Sequence, residues 1–151
     1  MGERGQASIE FLLVSAAGLL LIVVVAFTFL SASRGTEDAA RLQQVTTIGS
    51  SIIEQAGIVY ALGTDSWIDV EVNLPSDVVA IYTIEGTSLV FDVVTQAGIV
   101  SQPVFSSVPI TGVNTVGVRS DINLPPTNIH SGTMEIRVTS LGTQVEIRAM
   151  G

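Results

Sequence analysis

The chain has 151 residues, 47% hydrophobic and 13% charged, with a formal net charge of −8. That length holds one domain plus an extended element, and the composition is too apolar for a disordered chain and too interrupted by Gly and Ser for many membrane spans. There is no lysine, so the acidic field excludes DNA and RNA as partners, and no cysteine, which removes disulfides, thiolate metal sites and cysteine nucleophiles together.

Near the N-terminus, the stretch 11–30 is apolar apart from Ser15 and Thr28, and no charge falls between Glu10 and Arg34. It contains Phe11, Leu12, Leu13, Leu19, Leu20, Leu21, Ile22, Val23, Val24, Phe27, Phe29 and Leu30. Twenty such residues at about 1.5 Å each cover roughly 30 Å, the thickness of a bilayer core. A secretory signal has a shorter apolar core, about 7 to 15 residues, with its cleavage site behind it. Here the run is longer, and the polar residues with a processing character precede it.

Those residues are Glu3-Arg4-Gly5 followed by Gln6-Ala7-Ser8-Ile9-Glu10-Phe11-Leu12-Leu13. The pattern resembles the class III signal peptides of archaeal type IV pilins. In that family a basic and a small residue precede the cut, matched here by Arg4 and Gly5, and the mature chain begins Gln-x-Ser-x-Glu, matched by Gln6, Ser8 and Glu10. The resemblance spans about a dozen residues. It implies cleavage by a prepilin peptidase between Gly5 and Gln6, leaving 1–5 as a leader. It also implies that the new amine of Gln6 meets Glu10 of a neighbouring subunit and sets the assembly register.

Read without the resemblance, Glu10 admits two accounts. An ionised carboxylate at the edge of a hydrocarbon layer costs several kcal/mol unless a positive group or water meets it. It either contacts a cation of another copy or faces water at the cytoplasmic edge. The family motif favours assembly. Arg4 agrees with a cytoplasmic leader under the positive-inside tendency. Gly18 sits in the apolar run, where an ordinary membrane anchor also tolerates glycine.

After a small polar junction at 31–36, apolar positions return at Leu42, Val45, Gly49, Ile52, Ala56 and Val59, in steps of three and four. That spacing predicts an amphipathic helical stripe with one face against a core. Gly63 is the expected helix stop and Gly35 a candidate kink. The helix is expected over 6–62, with 11–30 as membrane or filament-core segment and 63–151 as the head.

Beyond Gly63 the period changes to two. Strands are predicted over 67–74, 78–84, 88–95, 104–110, 113–119, 133–139 and 144–149, with a hairpin at Glu85-Gly86-Thr87 and another through Ser140-Leu141-Gly142-Thr143. Met134, Ile136, Val138, Val145 and Ile147 share the inward parity, while Glu135, Arg137, Glu146 and Arg148 face out, placed to pair across strands. The expected fold is α+β: a long N-terminal helix packed on an antiparallel sandwich or meander. This order of elements also resembles type IV pilins.

Little catalytic chemistry is available. His130 is the only histidine, so neither a triad nor a zinc site has its partners. Asp65, Asp69, Glu71 and Asp77 cluster in sequence but lack EF-hand spacing. Gly112, Gly117 and Gly142 match no phosphate loop, and no Asn-x-Ser/Thr occurs. No enzyme, cofactor or metal is expected.

The expectation is a pilus subunit that inserts in the cytoplasmic membrane, is cut, and polymerises outside the cell for adhesion. Its implied partners are copies of itself, the prepilin peptidase, a membrane platform protein and an assembly ATPase. The alternatives are a permanently anchored extracellular binding module, a minor pilin, or an archaellin-like subunit.

Overall fold

A computed structural model describes residues 3–122 and 131–150, and among these the side chains of 3–8 and 31–36 lie outside the description. The fold is α+β. Helix α1 occupies Glu3–Leu62, and nine strands follow among the described residues. Two compact units divide the chain, 1–39 and 40–151.

The second unit owes its core to two periodicities that meet. From α1, Val45, Gly49, Ile52, Ala56 and Val59 are buried, as the three-and-four spacing predicts, and Leu42 is half-buried. Gly49 allows a close approach, because a Cβ there would stand 2.7 Å from Val104 Cγ2 and 2.8 Å from Phe91 Cε2. The helix ends at Leu62, where Gly63 takes φ +96° and its N–H donates to the Tyr60 carbonyl. That is the left-handed C-terminal stop a glycine makes without strain.

The strands are β1 (Trp67–Leu74), β2 (Val78–Ile84), β3 (Ser88–Thr95), β4 (Gly98–Phe105), β5 (Ile110–Thr111), β6 (Asn114–Val116), β7 (Arg119–Asp121), β8 (Gly132–Ser140) and β9 (Val145–Met150). They form a four-stranded sheet ordered β1-β8-β9-β5 and a five-stranded sheet ordered β4-β3-β2-β7-β6. Inner faces of both sheets join the α1 stripe in one cluster. Met134, Ile136, Val138, Val145 and Ile147 are all buried, as their parity predicts. Ile122 ties the sheets together: its N–H donates to the Ile81 carbonyl, and its carbonyl accepts from Ala149.

Three expectations are corrected. The sheets are not wholly antiparallel, since β5 pairs with β9 in parallel, Ile110 against Val145. The predicted strand 104–110 is replaced by β4 and the short β5. Pro103 explains the error: proline argues against a strand, but β4 is an edge, where a missing ladder N–H is tolerated. The predicted strand 113–119 is instead a hairpin of β6 and β7, turned at Gly117 with φ +65°.

Candidate functional site

Two regions concentrate features beyond the core: the apolar half of α1, and the outer faces of the two sheets.

In the first unit, 9–30 is helical and apolar, long enough to cross a membrane, and none of it is buried in the chain's own fold. Phe11, Leu12, Leu13, Leu19, Leu20, Leu21, Ile22, Val23, Val24, Phe27, Phe29 and Leu30 are all exposed, Phe11 at 73%. A soluble monomer rarely leaves so large a contiguous apolar surface in water. On one side, Leu21, Ile22, Val25, Ala26 and Phe29 line a shallow groove with almost no polar surface. The Thr28 hydroxyl donates to the Val24 carbonyl at 2.7 Å, so this polar group is satisfied within the helix. At Gly18 a Cβ would meet no described atom within 4 Å beyond the helix's own backbone and its chain neighbours.

Residues 37–62 also have the length and composition of a span, but four charges and a stripe buried in the second unit's core mark them as the amphipathic half. Glu10 is exposed one residue before Phe11. The backbones of Arg4, Gly5, Gln6 and Ser8 lie in the first turns of α1, and their side chains lie outside the described residues. His130 falls outside them altogether.

On the four-stranded sheet, β1 and β8 place Asp69 directly across from Arg137. Arg137 donates to both Asp69 oxygens at 2.7 Å, and its guanidinium lies 4.4 Å from the centre of the Trp67 ring. The Arg137 hydrogen bond holds the Asp69 carboxyl below the usual carboxylate range, and Asp69 raises Arg137 in return. The indole of Trp67 remains 56% exposed. Glu71 stands across from Glu135, a like-charged pair. The expected cross-strand pairing within the last hairpin does not occur: Arg137 faces Arg148, and Arg148 bonds Glu146 on its own strand at 3.0 Å.

On the five-stranded sheet, the Tyr82 hydroxyl donates to Asp92 at 3.1 Å, Ser101 donates to the same oxygen at 2.6 Å, and the Arg119 guanidinium covers the Tyr82 ring at 3.6 Å. Burial of the phenol, aided by the Asp92 charge, pushes Tyr82 above its ordinary value. Arg119 also meets Asp121 at 2.9 Å. Phe105 and Val116 stand exposed on the two edge strands of this face.

The four arginines of the second unit are thus each paired, Arg41 with Asp77, Arg119 with Asp121, Arg137 with Asp69 and Arg148 with Glu146. These pairs disperse the acidic cluster seen in sequence, because Asp69 and Asp77 turn to different arginines. Among the described residues, no group of three or more His, Asp or Glu is placed to hold a metal ion. The Trp67-Arg137-Asp69 stack and the Tyr82 network were not anticipated; both depend on strand register, which alternation alone does not supply. Comparison with family models, curated proteins and solved structures finds no match.

Proposed function

We propose that this chain is a pilin-like structural subunit of an extracellular filament, assembled through the apolar half of α1 and displaying the β-rich unit for adhesion. The observation that carries the reading is the wholly exposed apolar helix over 9–30, directly behind the sequence Arg4-Gly5-Gln6-x-Ser8-x-Glu10. Such a helix needs an apolar environment, first a bilayer and then copies of itself. Close packing of side chains drives helix association where both the lipid and the partner are apolar. Contacts related by a rotation that does not close generate an open filament.

In this reading a prepilin peptidase cuts before Gln6, the chain rests in the cytoplasmic membrane, and a platform protein and cytoplasmic ATPase drive its polymerisation. Glu10 then receives the amine of Gln6 from a neighbouring copy. The role is structural rather than enzymatic.

Intact-mass and N-terminal peptide mass spectrometry on filaments sheared from expressing cells tests it. The expected species begins at Gln6 in the sheared fraction and is lost from that fraction in Glu10→Ala. An uncut form beginning at Met1 and retained wholly in the membrane would sink the filament reading and favour an anchored binding module.

A further inference from the structure

We propose that the free edge of β1 takes up an extended segment of a different protein that carries lysine or arginine, adding it as a strand beside Trp67, Asp69 and Glu71.

Backbone geometry fixes which groups face this edge. Just before β1 the Ser66 carbonyl accepts from Ser140 of β8, while within β1 the Asn73 carbonyl accepts from the Gln44 side chain of α1, on the side away from β8. The two groups of a residue in an antiparallel strand point the same way, and neighbours alternate. The even-numbered residues therefore bond β8, and Trp67, Asp69, Glu71 and Asn73 present N–H and C=O to the open side. Gln44 occupies the Asn73 end. At Trp67, Asp69 and Glu71 no backbone partner exists among the described residues. This stretch has no proline and no bulge, and its register with β8 is unbroken over eight residues. The other long edge, β4, carries Pro103, which blunts strand addition.

Charge selects the occupant. The same alternation makes 71/135 a non-hydrogen-bonded pair, in which side chains stand closest. Glu71 and Glu135 thus stand directly opposite each other beside the edge, an arrangement of like charges that costs stability in an isolated sheet. Glu71 forms no ion pair with any described residue, and Arg137 is already held bidentate by Asp69. A strand added along β1 would set its outward side chains abreast of Asp69 and Glu71, where a cation offsets the like charges facing each other at 71 and 135.

A second copy's β-rich unit does not fit. It has no lysine, its four arginines are engaged, and two β1 edges paired with each other would bring Asp69 and Glu71 against acids. Main-chain bonds then supply affinity and the cationic side chains specificity, as in other strand-addition complexes. The inference holds whether or not the chain polymerises.

The test uses the full chain in nanodiscs and the peptide Thr-Val-Arg-Val-Arg-Val-Thr, with binding read by calorimetry and by fluorescence of Trp67, the only tryptophan. Two control peptides carry glutamate in place of arginine or an N-methyl group on each arginine. The arginine peptide is expected to bind about tenfold or more tighter than either control, and Glu71→Lys to reverse the arginine-over-glutamate preference. Absence of arginine-peptide binding, equal binding of the N-methylated peptide, or an unchanged preference in Glu71→Lys each overturns the proposal. Circular dichroism of Glu71→Lys confirms that the sheet is retained, and the two control peptides need no variant protein.

Discussion

The two halves of α1 belong to one helix and meet opposite fates. Over 9–30 apolar side chains cover the whole circumference and none is buried; over 42–59 they fill one stripe, and Val45, Ile52, Ala56 and Val59 disappear into the core. The second half has a partner within the chain because its stripe matches the inner faces of two sheets. The first half is apolar all round. Circumference and hydropathy together, the latter higher over 9–30 than over 37–62, separate a segment folded into its own domain from one that needs an environment made by other molecules.

The sharpest break in that comparison comes from truncating the two halves separately. Ile52→Ala empties a fully buried site and is expected to cost about 2–5 kcal/mol, seen as an earlier denaturant midpoint for the full chain in detergent micelles. Leu20→Ala, in the exposed half, is expected to leave that midpoint within about 0.5 kcal/mol. Equal losses at the two positions would mean that the halves share one fold. Leu21→Arg probes the environment instead: a charge at mid-bilayer raises the insertion free energy by about 3 kcal/mol, so the membrane-retained fraction should fall while the head keeps its midpoint.

Gly49→Ala sharpens the comparison at smaller amplitude. The added methyl meets Val104 and Phe91 inside van der Waals contact, and about 1–3 kcal/mol of destabilisation is expected. Gly18→Ala adds the same methyl where no described atom beyond the helix's own backbone and its chain neighbours lies within 4 Å, and head stability should not change. The difference between the two glycines, measured under one condition, isolates packing from helix propensity, which favours alanine at both positions.

Much of this was legible beforehand. The α1 stripe, the glycine stop, the bounds of the first three strands and the inward parity of β8 and β9 all follow from spacing, because burial imposes a period on a continuous element. The failures fall where period carries no information. The predicted strand began at 104, just after Pro103, whereas β4 runs through that proline as an edge strand; whether a strand is central or at an edge is a property of the sheet. The parallel pairing of β5 involves only two residues, too few to show any pattern. Cross-strand partners such as Asp69 with Arg137 are 68 residues apart, and register between distant strands is set by the whole core. For the apolar half, the motif around Gln6 and the exposed helix behind it carry the functional reading.

Titration separates the two sheet faces, and its effects are smaller than those of packing. Tyr82 has a raised value in the folded state, so its protonated form is favoured by folding. Its contribution is complete below the unfolded value of about 10 and is lost as pH rises through the folded value. A phenolate absorbance titration should show one tyrosine ionising later than a free phenol, and Tyr82→Phe should remove that late component.

The opposite sign applies at Asp69, and its effect is the smallest expected. Arg137 lowers the folded value of this carboxyl, so the contribution exists above the unfolded value of about 3.9 and is lost as pH falls through the folded one. Both partners are partly exposed, at 36% and 22% of their side-chain surface, so salt should weaken the pair. Asp69→Asn keeps the shape of the side chain and removes the charge. It should flatten the acid limb of the melting temperature against pH, and the flattening should fade at high salt. The variant also removes the carboxylate that holds Arg137 beside Trp67, so Trp67 fluorescence should shift at neutral pH. A flattened acid limb with unchanged fluorescence would mean that the indole holds the guanidinium by itself.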